Sequence, residues 1–229
     1  MKVLLTTLNS KFIHTNLAIR YIKESIKDLV DVDIREYTIN NQLDYILKDI
    51  YLAKYDAIFF STYIWNIYDI VKLCENIKKV NPNVIIGLGG PEVSYDSEEA
   101  MEKYEFVDYI IRGEGEMVMR DLMKHFNGEM DIKHVDGITY RQDGKIIQNK
   151  ERMLLADLDL IPSPYENLDI TEYENRIVYY ETSRGCPFNC QYCLSSAIKG
   201  LRYFGIDRVK RDLKNLIDAR VSQIKFIDR

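Results

Sequence analysis

Several absences narrow the class of this protein before any motif is considered. No stretch is long and apolar enough to span a bilayer, which takes about 20 residues. The short apolar start, Met1 to Leu5, gives way to polar residues from Thr6 to Lys11, too soon for a secretory leader. Basic residues do not predominate: 31 Lys and Arg stand against 36 Asp and Glu, so the field is mildly negative and offers no general pull on nucleic acid. Cysteine is sparse, with 4 in 229 residues, and three of them crowd together. That is no disulfide framework; it implies a reducing compartment, and the expected location is the cytoplasm. No G-x-G-x-x-G follows the first predicted strand and no phosphate-loop lysine motif occurs, which argues against a dinucleotide.

What is present is a regular alternation. Strand patterns at 3–8, 32–38, 57–61, 84–88 and 107–112 are separated by helical patterns at 16–29, 42–55, 67–80, 97–104 and 114–126. The strand Ala57–Ser61 is short and apolar, as expected of a strand buried on both faces. Strands separated by helices imply right-handed crossovers and a doubly wound parallel sheet. The predicted fold class is α/β, a flavodoxin-like (Rossmann-type) domain over residues 1–130. Cys74, among Val71, Leu73 and Ile77 on a helix, reads as core packing. Tyrosine is abundant, 17 residues against 8 Phe, and amphipathic rings suit polar-lined clefts as well as ordinary packing.

In such sheets ligands lie across the carboxyl ends of the strands. The candidate loops are therefore Asn9-Ser10 and onward to Thr15, Ser61-Thr62-Tyr63 and onward to Asn66, Gly89-Gly90-Pro91-Glu92, and Gly113-Glu114-Gly115-Glu116. Paired glycines admit a ligand close to backbone, and helix N-termini supply oriented amides. The same features also serve as plain turn and capping chemistry. Trp65 fits either a ligand-shielding or a space-filling role, and His14 reads as a solvated or core-edge histidine.

Residues 131–175 read as a hairpin and linker. Asp143-Gly144 lies between two short strand patterns, and Ile161-Pro162-Ser163-Pro164 forbids helix. Residues 176–229 begin another β/α series, with a strand at 177–182, an amphipathic helix at 207–219 and a strand at 223–228. At the carboxyl end of the first of these strands stands Arg184-Gly185-Cys186-Pro187-Phe188-Asn189-Cys190-Gln191-Tyr192-Cys193. The C-x3-C-x2-C spacing has no fourth cysteine or histidine close behind, whereas structural zinc normally closes its shell with four protein ligands. Three thiolates on a short loop suit a four-iron, four-sulfur (4Fe-4S) cluster with one iron left for a non-protein ligand. A zinc knuckle or three merely buried cysteines is the alternative.

With Tyr192 before the last cysteine, this motif resembles the radical S-adenosylmethionine (SAM) enzymes. The resemblance implies that Cys186, Cys190 and Cys193 ligate the cluster and that its open iron binds SAM, which one-electron reduction then cleaves. It further implies that Tyr192 packs near the adenine and that Asp228, at the end of the next strand, belongs to the SAM-binding set. The α/β domain, with Ser61-Thr62, Gly89–Glu92 and Gly113–Glu116, resembles the cobalamin-binding domain that precedes the radical barrel in a large subgroup of these enzymes. By that resemblance Asn9, Ser10, Ser61, Thr62, Tyr63, Gly89, Gly90, Pro91, Glu92, Gly113 and Glu114 line the corrinoid. The Asp-x-His-x-x-Gly loop that supplies a cobalt-ligating histidine in some such domains is not present, so His14 is not expected to ligate.

The expected function is that of the amino-terminal part of a cobalamin-dependent radical SAM enzyme, with methyl transfer or related radical chemistry and an external electron donor. The alternative is a corrinoid- or metal-holding sensor, or an interaction module, without catalysis. A radical barrel needs further β/α units beyond Arg229. The reading therefore expects an incomplete barrel whose exposed sheet edge packs on the first domain or pairs with a second copy.

Overall fold

The computed structural model describes residues 1–166, 169–188, 190–194 and 200–228, which fall into two compact units. The first comprises Met1–Phe12 and Ala18–Met153, the second Ile13–Leu17 and Leu154–Arg229.

The first unit is built on β1 (Lys2–Asn9), β2 (Asp31–Thr38), β3 (Ala57–Ser61), β4 (Ile85–Gly89) and β5 (Tyr109–Ile111). Between them run α1 (Leu17–Ile26), α2 (Leu43–Ala53), α3 (Ile67–Val80), α4 (Pro91–Ser94) and α5 (Ser97–Lys103), and α6 (Gly115–Phe126) follows β5. The five strands are parallel in the order β2-β1-β3-β4-β5, the flavodoxin-like arrangement expected from the alternation. Every residue of Ala57–Ser61 is buried, as its apolar run implied.

Side-chain alternation along the strands builds two cores, one on each face. Leu4, Leu8, Ile58, Phe60, Ile86 and Leu88 pack with Ile46 and Ile50 of α2 and with Ile70, Leu73 and Ile77 of α3. Cys74 lies in this core, and burial pushes its thiol far above the usual range, so it is packing as expected. Val3, Leu5, Ala57, Phe59 and Ile111 pack on the opposite face with Ile19 and Ile26 of α1 and with Val118, Met119 and Leu122 of α6.

The hairpin expected between domains belongs to this sheet. β6 (Ile138–Gln142) pairs antiparallel with β5, and β7 (Lys145–Gln148) pairs antiparallel with β6. Asp143 and Gly144 both take positive φ, 50° and 74°, the two-residue turn that matches strand twist. Arg112 secures the addition: its backbone N–H donates to Gly137 O at 2.8 Å and its guanidinium to Ile138 O and Asn149 O. The division between the units falls after Met153, not at residue 130.

In the second unit β8 (Val178–Tyr180) pairs in parallel with β11 (Ile224–Phe226), with α7 (Ile206–Asp218) between them in sequence. β9 (Ser183–Cys186) pairs antiparallel with β10 (Gly200–Tyr203). The proline stretch, expected to be extended, lies between a 3-10 turn at Leu158–Leu160 and a further turn at 164–166, and α7 staples it. The Arg208 guanidinium donates to Leu158 O and Ile161 O, Asn215 Nδ2 donates to Tyr165 O at 3.1 Å, and Asp159 Oδ1 accepts from Gly205 N at 3.0 Å. Chain that forms no ladder of its own thus has its carbonyls satisfied by side chains. His14 forms a parallel bridge with Ile177, Ile13 O accepts from Ile177 N at 2.7 Å, and Thr15 Oγ1 donates to Ile177 O at 2.9 Å.

Candidate functional site: the carboxyl edge of the sheet and the cysteine hairpin

Parallel register brings the predicted loops of the first unit to one edge. Ser61 pairs with Gly89 and Gly89 with Ile111, so the chain leaves β3, β4 and β5 in one row. Two turns then lock back to back. Thr62 donates to Gly89 O from both its backbone N–H and its Oγ1, each at 2.7 Å. Gly90 has φ 107°, and a Cβ there would clash with the Thr62 carbonyl oxygen, so this position takes glycine for two reasons. Ser94 Oγ donates to Gly90 O at 2.7 Å and closes the turn into α4, which Pro91 begins.

Asn66 ties the β3 turn to β1. Its Nδ2 donates to Leu8 O at 3.0 Å, Ser61 O at 3.2 Å and Thr7 Oγ1 at 3.3 Å, while Oδ1 accepts from Tyr63 N at 2.7 Å. It is fully buried. A signal for it existed, an Asn four residues after a turn threonine and just before a helix, but such an asparagine reads as an ordinary cap.

The predicted residues divide by exposure. Asn9, Ser61 and Thr62 are buried: Asn9 Nδ2 donates to Glu36 Oε1 at 3.2 Å beside the buried Arg20–Glu36 ion pair, and Thr62 is spent on Gly89. They frame the edge. Tyr63, Gly89, Gly90, Pro91, Ser10 and Glu114 are half-buried, while Glu92 and Gly113 are exposed. Gly113 has φ 74° and an added Cβ would meet nothing within 4 Å, so bare backbone faces outward. Around these stand exposed apolar side chains that the prediction left out of the site, Ile64, Tyr68 and Tyr95. Trp65 stacks on Tyr63 with centroids 4.6 Å apart and planes 3° from parallel, and stays about half exposed. A flat aromatic pair beside open backbone fits a broad, planar ligand with an apolar face and a polar rim, and corrin is one.

In the second unit Cys186 ends β9 and pairs with Gly200, while Cys190 and Cys193 lie on the hairpin loop, where Cys193 N donates to Cys190 O at 3.1 Å. All three are half-buried and outside any disulfide, and Asn189 and residues 195–199 lie outside the described residues. Their soft donor set suits iron and sulfide. Among the described residues, however, no three His, Cys, Asp or Glu groups stand together to hold a metal ion. Gly185 sits at φ 99°, where a Cβ would clash with Gly200 O, and the hairpin pairing demands a glycine there. Tyr192 is 94% exposed.

Asp228, expected to contact SAM, gives Oδ1 to Thr182 and Ser183. His14, which was not expected to ligate cobalt, places Nδ1 2.6 Å from the Tyr179 hydroxyl.

A flavodoxin-like sheet whose carboxyl edge carries glycine turns and exposed aromatics defines a cofactor-binding α/β domain. The chain belongs to the B12-binding domain family, whose profile matches residues 3–123. It is 33% identical over 168 residues to an uncharacterized methyltransferase, PH0819, of Pyrococcus horikoshii, covering 70% of this chain and 37% of that protein. It is 29% identical to the cobalamin-dependent radical SAM methyltransferase TokK of Streptomyces tokunonensis, covering 69% of this chain and 25% of TokK. Among solved structures, the cobalamin-dependent radical enzyme OxsB, with aqua-cobalamin and SAM bound, superposes with a TM-score of 0.82 at 21% identity, over 100% of this chain and 34% of that one. The radical SAM methyltransferase TsrM of Kitasatospora setae gives 0.78 at 14% identity, over 99% and 47%. These structural likenesses establish the fold. The chain thus spans about a quarter to a third of the length of these curated relatives. Among the described residues no helix is long and apolar enough to cross a membrane.

Proposed function

We propose that this chain holds a cobalamin on the carboxyl edge of its sheet and a 4Fe-4S cluster on its cysteine hairpin, as part of a radical SAM methyltransferase. The observation that carries the reading is the pairing, in one chain, of a B12-type sheet edge with a C-x3-C-x2-C hairpin that leaves a strand of a β/α unit. When bound, these groups supply a one-electron reductant for the SAM sulfonium and a methyl carrier, and an external donor resupplies the electron.

The chain's own part is holding and shielding. Tyr63 and Trp65 offer a flat apolar surface for the corrin, and Gly90 and Gly113 let its amide rim approach backbone. Ser61, Thr62 and Asn66 keep those turns in place from below. Cys186, Cys190 and Cys193 furnish the thiolates, and Tyr192 is available to the adenine.

The test is anaerobic reconstitution with iron and sulfide, read by visible and electron paramagnetic resonance spectra with and without SAM, followed by hydroxocobalamin. The reading expects a cluster signal that SAM perturbs and that Cys186→Ala removes. It also expects corrinoid to co-elute on gel filtration and to quench Trp65, the single tryptophan. Zinc alone, or a spectrum unchanged in Cys186→Ala, overturns the cluster. Unquenched Trp65 with free elution of the corrinoid overturns the cobalamin site. Corrinoid retention without any SAM-dependent signal would favour a non-catalytic corrinoid holder. The same column run reports pairing of two copies through the β11 edge.

A further inference from the structure

We propose that Asp228 is a positioning residue for the cysteine hairpin: its carboxylate fixes the Thr182–Ser183 junction from which β9 runs to Cys186. This rests on the reading that Cys186, Cys190 and Cys193 hold a cluster.

The geometry is specific. β8 and β11 run in parallel with Tyr180 opposite Phe226, and Tyr180 O accepts from Ile227 N at 2.9 Å. Two residues further along each strand, Thr182 therefore stands opposite Asp228. There one oxygen, Asp228 Oδ1, accepts four hydrogen bonds: from Thr182 N at 2.7 Å, Thr182 Oγ1 at 2.9 Å, Ser183 N at 2.7 Å and Ser183 Oγ at 2.8 Å. Two consecutive amides converging on one carboxylate oxygen set the direction the backbone takes as it leaves β8. β9 begins at Ser183 and ends at Cys186, three residues on, in register with Gly200. The Arg184–Glu181 ion pair, with Nε to Oε1 at 2.8 Å, spans the same junction on the side-chain side.

An ionised carboxylate is the right acceptor for this cradle because charge-assisted bonds to backbone amides are the stronger kind. Burial works against the charge, but the bonds from Ser183 and Thr182 outweigh it and hold the Asp228 carboxyl below its usual range. The role is that of an outer-shell partner which orients a metal ligand without touching the metal.

The test uses the 229-residue chain. The native protein, Asp228→Ala, Asp228→Asn and Cys186→Ala are reconstituted anaerobically without SAM, and retained iron is titrated against a chelator. Asp228→Ala should hold iron about 10- to 100-fold more weakly, the usual effect of losing an outer-shell partner. Asp228→Asn, which keeps a neutral oxygen at the Oδ1 position, should recover most of that loss. A second arm needs no metal: in the apo chain, iodoacetamide should label Cys186 several-fold faster in Asp228→Ala, with Cys190 and Cys193 as internal references.

If Asp228→Ala retains iron like the native chain and changes only the response to SAM, Asp228 is a SAM contact and the positioning role is overturned while the cluster reading stands. If the native chain itself takes up no iron and sulfide, the cluster reading falls. The alkylation arm then decides, and an unchanged Cys186 rate overturns the positioning role.

Discussion

The Nδ1 atom of His14 lies 2.6 Å from the hydroxyl of Tyr179, with the two rings 5.9 Å apart, so the stretch Ile13–Leu17 is fastened to β8. His14 thereby has a partner within the second unit. Removing the hydroxyl with Tyr179→Phe deletes one hydrogen bond worth about 0.5–1.5 kcal/mol. The amide of Ile177, which donates to Ile13 O, should exchange roughly two- to tenfold faster by mass spectrometry. Unchanged protection at Ile177 would show that the backbone bridge holds without the side chains.

Two glycines on the sheet edge make opposite predictions although both have positive φ. Gly90→Ala strains the backbone and drives a methyl into the Thr62 carbonyl, so it should cost about 2–4 kcal/mol and abolish corrinoid retention. Gly113→Ala meets open space and should cost about 1 kcal/mol, from its φ of 74° alone. Denaturant melts and hydroxocobalamin co-elution of the two variants check the ranking. Equal loss in both would mean that packing against Thr62 does not govern this turn.

Asn66→Ala should cost about 2–4 kcal/mol, because it strands the half-buried Tyr63 N–H and withdraws the amide that serves the buried Leu8 O and Ser61 O. Asn66→Asp restores the acceptor but sets a carboxylate against those two carbonyls, so it should not rescue stability at neutral pH. Chemical denaturation of the three proteins, with Trp65 fluorescence as the reporter, measures this directly.

Acid should loosen the hold of α6 on the turn that follows α1. Arg120 grips Asp28 with two bonds, Nη1 to Oδ1 at 2.7 Å and Nη2 to Oδ2 at 2.8 Å, and these hold the carboxyl below its usual range. A depressed folded-state pKa contributes stability above the unfolded value, about pH 4, and loses it as pH falls through the lower folded value. Asp28 is half exposed, so the contribution is about 0.5 kcal/mol after solvent screening. Asp28→Asn should melt slightly below the native chain at pH 6, and the gap should close as pH falls through the lowered folded-state value. A gap that persists in acid would assign the effect to shape rather than charge.

Periodicity and residue type made the first unit readable in advance. Alternating strand and helix runs determined a five-stranded parallel sheet with helices on both faces. The wholly apolar Ala57–Ser61 marked a central strand, and Asp143-Gly144 marked a hairpin, because local backbone preference decides turns and burial decides strand composition. The cysteine spacing and the glycine turns were likewise legible, since each depends on residues close in sequence.

Tertiary structure alone decided the rest, because it depends on partners distant in the chain. The hairpin could equally have closed a linker; it became β6 and β7 because β5 offered an open edge and Arg112 could reach Asn149. The proline stretch looked free until Arg208 and Asn215, about 50 residues later, satisfied its carbonyls. Thr62 donates to Gly89 O because register across two strands places it there. Asp228 meets Thr182 and Ser183 for the same reason: strand pairing, not sequence proximity, brings a carboxylate to two amides 45 and 46 residues away.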